Sequence, residues 1–322
     1  MFIDTFSAFD EIKLAEFRIR YLSSEIDHTV IIESNLTFSG IEKKLLFKRW
    51  LENKKSLFPR VTVISVDLSA HQDSWSREFA TREALTDYIY KEFPDTNYIL
   101  SDLDEIPSLQ QVKLMKGLRE SVKFHTPTFY RRINWAVQDD YQKNWTIGLI
   151  SNTSLAKLPN AGRNSDLPTL VSEQSGAHFS YLKYIDVGLP NKLESFAHTE
   201  LNLDFLKTKS FNSYVDEYQI DHLGRFFSQR RGLLKFIDRD AYNEVQQDLA
   251  SLHPELTAIR NTKKKRPSRL LASAVVTAMI THPRSAPQLT EFFILNKRTA
   301  GGCIRAFFLL FLSLIQTRVG KK

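Results

Sequence analysis

An α/β protein with a mostly parallel central sheet is the fold class that this 322-residue chain predicts, and two patterns predict it. Short apolar runs rich in β-branched residues alternate with longer amphipathic stretches, the spacing of strands joined by crossover helices. An acidic stretch, SDLDEIP, follows directly on one of those runs, at the place where open α/β sheets receive ligands. With 42% hydrophobic residues and only 11 Gly and 11 Pro, the chain has the apolar surface that a core requires. Collagenous, low-complexity and disordered classes are excluded.

The first strand is read at residues 28–33, HTVIIE, closed by Ser34, Asn35 and the turn residues Ser39 and Gly40. Residues 42–55 set Leu45, Leu46, Trp50 and Leu51 among basic residues, an amphipathic helix. Residues 60–66 read as a second strand, 75–93 as a long helix and 97–100 as a third strand. A helix over 108–120 follows, then strands at 127–137, 146–150 and 178–181 and a short helix at 201–209. PNAGRNSDLP, residues 159–168, is a loop.

Lys and Arg number 44 against 37 acids, a net charge of +7 that suits anionic partners. The single cysteine, Cys303, excludes a disulfide framework and a cysteine-based metal site. Residues 1–11 carry acids, no base and no long apolar run, so no secretory signal or membrane anchor is expected there. A domain over 1–260 and a basic, apolar helical tail over 261–322 are expected, the tail opening on KKKRPSR. Its apolar runs, 270–280 and 306–315, are short: ten helical residues span about 15 Å, half of a bilayer core of about 30 Å. Flanked by Lys and Arg, such runs suit an anionic membrane surface or, alternatively, helices packed on the catalytic domain, so the location expected is cytoplasmic, with a peripheral place on the inner face of the plasma membrane in the first case.

Asp102 and Asp104 stand two residues apart just past the third predicted strand, and in extended backbone such residues face one side. Two carboxylates at the mouth of a sheet suit Mg²⁺ or Mn²⁺, which in turn can bridge a diphosphate. The chemistry served would be departure of a nucleoside diphosphate. A solvated turn before the helix that follows Pro107 is the plainer alternative. Asn134, Trp135, Trp145, Tyr130 and Tyr141 form an aromatic-rich stretch in which Trp135 or Trp145 is expected to offer a sugar-stacking face.

Three blocks, in order, carry a family resemblance. Residues 9–47, the SDLDEIP of 101–107 and SGAHFSYLKYIDVGLPNK of 175–192 resemble the opening block, acidic motif and Gly-Trp-His segment of glycosyltransferase family 17, with Ala177 where Trp is usual. The best-known members add a bisecting N-acetylglucosamine to N-glycans. The resemblance implies a GT-A-like nucleotide-sugar fold, inverting transfer, a UDP-N-acetylglucosamine donor and a glycan or glycolipid acceptor. It implies uridine contacts at Glu33 and Asn35 and a nucleotide contact at Arg82, which is also placed for an ordinary i, i+4 ion pair with Glu78. Lys192 is implied to hold the diphosphate and His198 to be a third metal ligand, with His178 competing for that place. Glu200 is the implied general base, with Glu173, Asp139 and Asp140 competing.

Two other classes compete. The charge and the KKKR run suit nucleic acid, yet no helix-turn-helix, zinc-finger or RNP-type sequence is present and no nucleic-acid partner is expected. A metal-dependent phosphohydrolase would use the same two aspartates, but the further His and Asp ligands of a two-metal site are not evident.

Overall fold

The computed structural model describes residues 1–118, 120–137, 144–151, 168–170, 172, 174–182, 189–197, 199, 202, 207, 212, 216 and 234–258, with backbone alone over 144–151 and at 189. The chain divides into two compact units, residues 1–200 with 235–259 and residues 201–234 with 260–322. The elements below belong to the first unit; the tail expected over 261–322 and the helix expected over 201–209 lie almost wholly outside the described residues.

Strand β1 (Phe2–Ser7) leads to α1 (Ile12–Leu22), β2 (His28–Ser34), α2 (Leu46–Lys54), β3 (Val61–Val66), α3 (Ser74–Glu92) and β4 (Asn97–Asp102). These four strands are parallel and lie in the order β3-β2-β1-β4. Both faces are covered. Phe2, Phe6 and Ile31 pack with Leu14, Phe17, Phe47 and Trp50 of α1 and α2 on one face, and Ile3, Val30, Ile32 and Leu100 pack with Leu85 and Ile89 of α3 on the other. This is the α/β class with parallel central strands that the alternating pattern predicts.

Past β4 the sheet changes direction. Strands β5 (Glu105–Ile106), β6 (Val122–Tyr130), β7 (Trp135–Ala136) and β8 (Asn144–Ser151) follow, with α4 (Leu109–Lys116) between β5 and β6. β8 pairs antiparallel with both β4 and β6, so the sheet is mixed beyond its four leading parallel strands. The single strand expected at 127–137 is two strands, because the chain turns after Tyr130 through Arg131, whose φ is +63°. β9 (Thr169–Leu170) and β10 (Ala177–Ser180) both pair with β6, and β10 also pairs with β5. Helix α5 (Leu189–Ser195), β11 (Lys235–Phe236) on β7, and α6 (Glu244–Leu252) complete the unit.

Candidate functional site

The carboxyl ends of β1 and β4 lie side by side, with Ser7 paired to Asp102. Strand order reverses there, β3 and β2 lying beyond β1, and such a reversal opens a crevice at the carboxyl edge of an α/β sheet. Asp102 ends β4 and Asp104 sits in the two-residue turn before β5. The acidic motif therefore projects from that crevice.

A buried arginine builds the turn. Arg18 of α1 and Asp4 of β1 are both 0% exposed and form a two-pronged pair, Nε to Oδ2 at 2.9 Å and Nη2 to Oδ1 at 2.6 Å. The rest of the guanidinium donates to Ser101 Oγ at 2.7 Å and to the carbonyls of Asp102 at 2.7 Å, Glu105 at 3.0 Å and Leu103 at 3.3 Å. A charge this deep is tolerated only with its donors satisfied, and here the turn supplies the acceptors. Asp102 N donates to Glu105 Oε2 at 2.8 Å and Phe179 N to Asp104 O at 2.8 Å, so the turn is also tied to itself and to β10.

Gly176 lets β10 come this close. A Cβ there would lie 2.2 Å from the Ile106 carbonyl oxygen and 2.7 Å from Pro107 Cα. Its N–H donates to Gln111 Oε1, which also accepts from Ser108 N in the capping box that starts α4. The resulting register sets His178 opposite Glu105, with His178 Nε2 3.9 Å from Asp104 Oδ1.

Lys192 arrives from α5. Its Nζ is 3.1 Å from Asp104 Oδ2, 3.8 Å from Glu11 Oε1 and 5.3 Å from the centre of the Tyr181 ring. Burial pulls the Lys192 ammonium down, but Asp104 and Glu11 outweigh it and hold its pKa above the ordinary lysine range. α5 is fastened at its far end, where Ser39 Oγ donates to the Glu194 carbonyl and Ser74 Oγ to Ala197 O. On the other flank Arg82 of α3 joins Asp102 Oδ1 at 3.3 Å and Glu78 Oε1 at 2.5 Å, so it makes both the i, i+4 pair and a contact with the motif. Each aspartate thus faces a cation.

Other expected residues are placed differently. Glu33 is 1% exposed, and its carboxylate accepts from Phe47 N and Lys48 N, which gives it the start of α2 to anchor. The Asn35 side chain ties two loops together, donating to Asp67 Oδ1 at 2.7 Å and accepting from Leu68 N at 2.9 Å. Trp135 is 2% exposed, so its ring lies under the surface and not on it. His198, Glu200, Glu173, Asp139, Asp140, Tyr141 and the side chain of Trp145 lie outside the described residues.

Sequence reading missed Arg18, Glu11 and Lys43. Lys43 Nζ lies 3.4 Å from the carbonyl oxygens of Ala8 and Phe9 at the end of β1, and burial lowers its pKa against the opposing pull of Glu33, Glu11 and Asp10. All three belong to the surroundings of β1, a strand that no periodicity announced.

The family model of glycosyltransferase family 17 matches residues 2–221, about two thirds of the chain and the whole of the site just described. The chain belongs to glycosyltransferase family 17. Curated relatives include the beta-1,4-mannosyl-glycoprotein 4-beta-N-acetylglucosaminyltransferases of Homo sapiens, 31% identical over 128 residues, and Mus musculus, 30% identical over 128 residues. Those matches cover 36% of this chain and 24% of each relative, so the chain spans about a quarter of the length of these relatives. Among solved structures, HddC from Yersinia pseudotuberculosis aligns over 62% of this chain and 98% of its own at 11% identity, with a TM-score of 0.34, too low to bear on the fold.

Proposed function

We propose that the protein is a metal-dependent, inverting glycosyltransferase of GT-A-like architecture that moves N-acetylglucosamine from UDP-N-acetylglucosamine to a hydroxyl of a glycan or glycolipid. The observation that carries this reading is the placement of Asp102 and Asp104 at the carboxyl edge of β4 beside β1, with Arg82 and Lys192 on their oxygens. The donor is inferred from the relatives, which are named for N-acetylglucosaminyl transfer.

The donor set suits a hard divalent cation, because Mg²⁺ is ordinarily held by one or two carboxylates with phosphate and water completing its shell. Asp102 and Asp104 would hold Mn²⁺ or Mg²⁺, with His198 as the further ligand. Among the described residues no three His, Cys, Asp or Glu side chains are grouped so that they could hold a metal ion. Once bound, the metal supplies positive charge at the diphosphate.

The protein's own groups do the rest. Lys192, kept protonated by Asp104 and Glu11, offers an ammonium to the phosphates, and Arg82 offers a guanidinium from the opposite flank. In the transfer the acceptor oxygen attacks the anomeric carbon, UDP leaves with the bonding electrons, and Glu200 takes the hydroxyl proton. His178, 8% exposed with Nε2 3.9 Å from Asp104 Oδ1, stands beside the motif, where it would contact the substrate. Among the described residues no helix is long and apolar enough to cross a membrane. Attachment of the 261–322 tail to an anionic membrane surface, and with it a peripheral location, belongs to this proposal.

Calorimetric titration with UDP-N-acetylglucosamine, GDP-mannose and a DNA oligonucleotide, each with Mn²⁺ and with EDTA, tests the reading. Binding of the UDP-sugar alone, and only with metal, is the expected result. Preference for GDP-mannose or DNA would overturn it.

A further inference from the structure

The first two turns of α3 carry an exposed aromatic pair. Trp75 is 42% and Phe79 43% exposed, their ring centroids 6.4 Å apart and their planes inclined at 41°. Large rings this open to water are costly on a helix that otherwise buries Leu85 and Ile89.

Their place on the helix is fixed by its other contacts. Trp75, Phe79, Arg82 and Thr86 recur at i, i+4, i+7 and i+11, a spacing that puts them on one flank. Arg82 on that flank reaches Asp102, and Thr86 hydrogen-bonds the Tyr98 side chain. Both partners belong to β4, so the aromatic pair lies on the β4 side of the helix. Because α3 runs from β3 back to the parallel strand β4, its N-terminus stands at the carboxyl edge of the sheet. Trp75 precedes Arg82 by seven residues, about 10 Å of helix at ~1.5 Å per residue. Phe79 precedes it by three residues, about 4.5 Å, so the two rings stand roughly 4.5 to 10 Å beyond Arg82 toward the carboxyl edge, as a wall over the crevice. Asp73 caps this end, accepting from Trp75 N and Ser76 N, and the bond from Ser74 to Ala197 ties it to the segment that follows Lys192.

We propose that Trp75 and Phe79 form a stacking platform for a hexopyranose of the acceptor glycan. The inference rests on the glycosyltransferase reading, which places the reacting sugar at Asp102 and Asp104. Pyranose rings present C–H faces that pack on aromatic rings, and two inclined rings make a shallow cup for one such face. The platform takes the role that Trp135, buried at 2% exposure, does not offer.

The test titrates mannotriose and chitotriose, separately, into the wild-type protein, Trp75→Ala/Phe79→Ala and Trp75→Phe, with NMR saturation transfer as readout and UDP-N-acetylglucosamine titrated in parallel. Wild type and Trp75→Phe should bind at least one trisaccharide, and the double alanine variant should bind it about tenfold or more weakly with unchanged affinity for the nucleotide sugar. Equal trisaccharide binding by wild type and the double variant would overturn the platform, as would binding of neither trisaccharide by wild type. If trisaccharide binding follows the rings while no protein binds UDP-N-acetylglucosamine, the platform stands and the glycosyltransferase reading of the site fails.

Discussion

Arg18 is the residue on which the geometry of the acidic turn depends most. Replacing it with Met leaves Asp4 charged and buried without its partner, which should cost about 3–5 kcal/mol in denaturant unfolding. The double variant Asp4→Leu/Arg18→Met removes both charges and should recover most of that stability, yet the carbonyls of Asp102, Leu103 and Glu105 would still lack their donor. Loss of UDP-N-acetylglucosamine binding in that stable double variant would separate a positioning role from a purely structural one; unchanged binding would deny it. Lys192 supports a pH prediction. Its folded pKa is raised, so the stability it contributes is fully present below the ordinary lysine value of 10.5 and is lost as pH rises through the folded pKa. The deficit of Lys192→Met should accordingly be constant from pH 7 to about 9.5 and shrink only in more alkaline solution, as thermal melts across that range would reveal. Asp102 and Asp104 were legible because a strand and its acidic end are contiguous. Arg18 was not, since its pairing with Asp4 and with residues 101–105 joins three elements that only the fold brings together.

At the scale of elements, the clamp between β5 and β10 depends on Gly176. Gly176→Ala would drive a methyl group into the Ile106 carbonyl, 2.2 Å away, and backbone must move to relieve it. Overpacking of this kind costs typically 1–3 kcal/mol, about the size expected here, and it should also displace His178 and Asp104. Reduced stability together with weakened nucleotide-sugar binding in calorimetry is the expected outcome; a variant with wild-type stability would show that the contact is slack. Elements with clean periodicity were readable: β2, α2, β3, α3 and β4 fall within a few residues of the segments expected for them. β1 was invisible because Asp4 interrupts its apolar run, and a carboxylate in a central strand is intelligible only once Arg18 is opposite it. Aromatic content at 130–145 likewise showed that rings were present but not which were buried, and Trp135 turned inward.

For the molecule as a whole, a half-sheet of parallel strands delivers acids at one edge, and the antiparallel continuation through β8 and β6 brings β10 back to hold them. The proposed chemistry rests on glycosyltransferase family 17 membership together with the edge that carries Asp102 and Asp104. The claim at the centre is that Asp104 serves departure of the nucleoside diphosphate. Its most direct test is the rate of UDP release from UDP-N-acetylglucosamine with Mn²⁺, measured for the wild-type protein and for Asp104→Ala. Loss of several kcal/mol of transition-state stabilisation, roughly a thousandfold in rate, is the result predicted. Release of UDP by Asp104→Ala at the wild-type rate would contradict it.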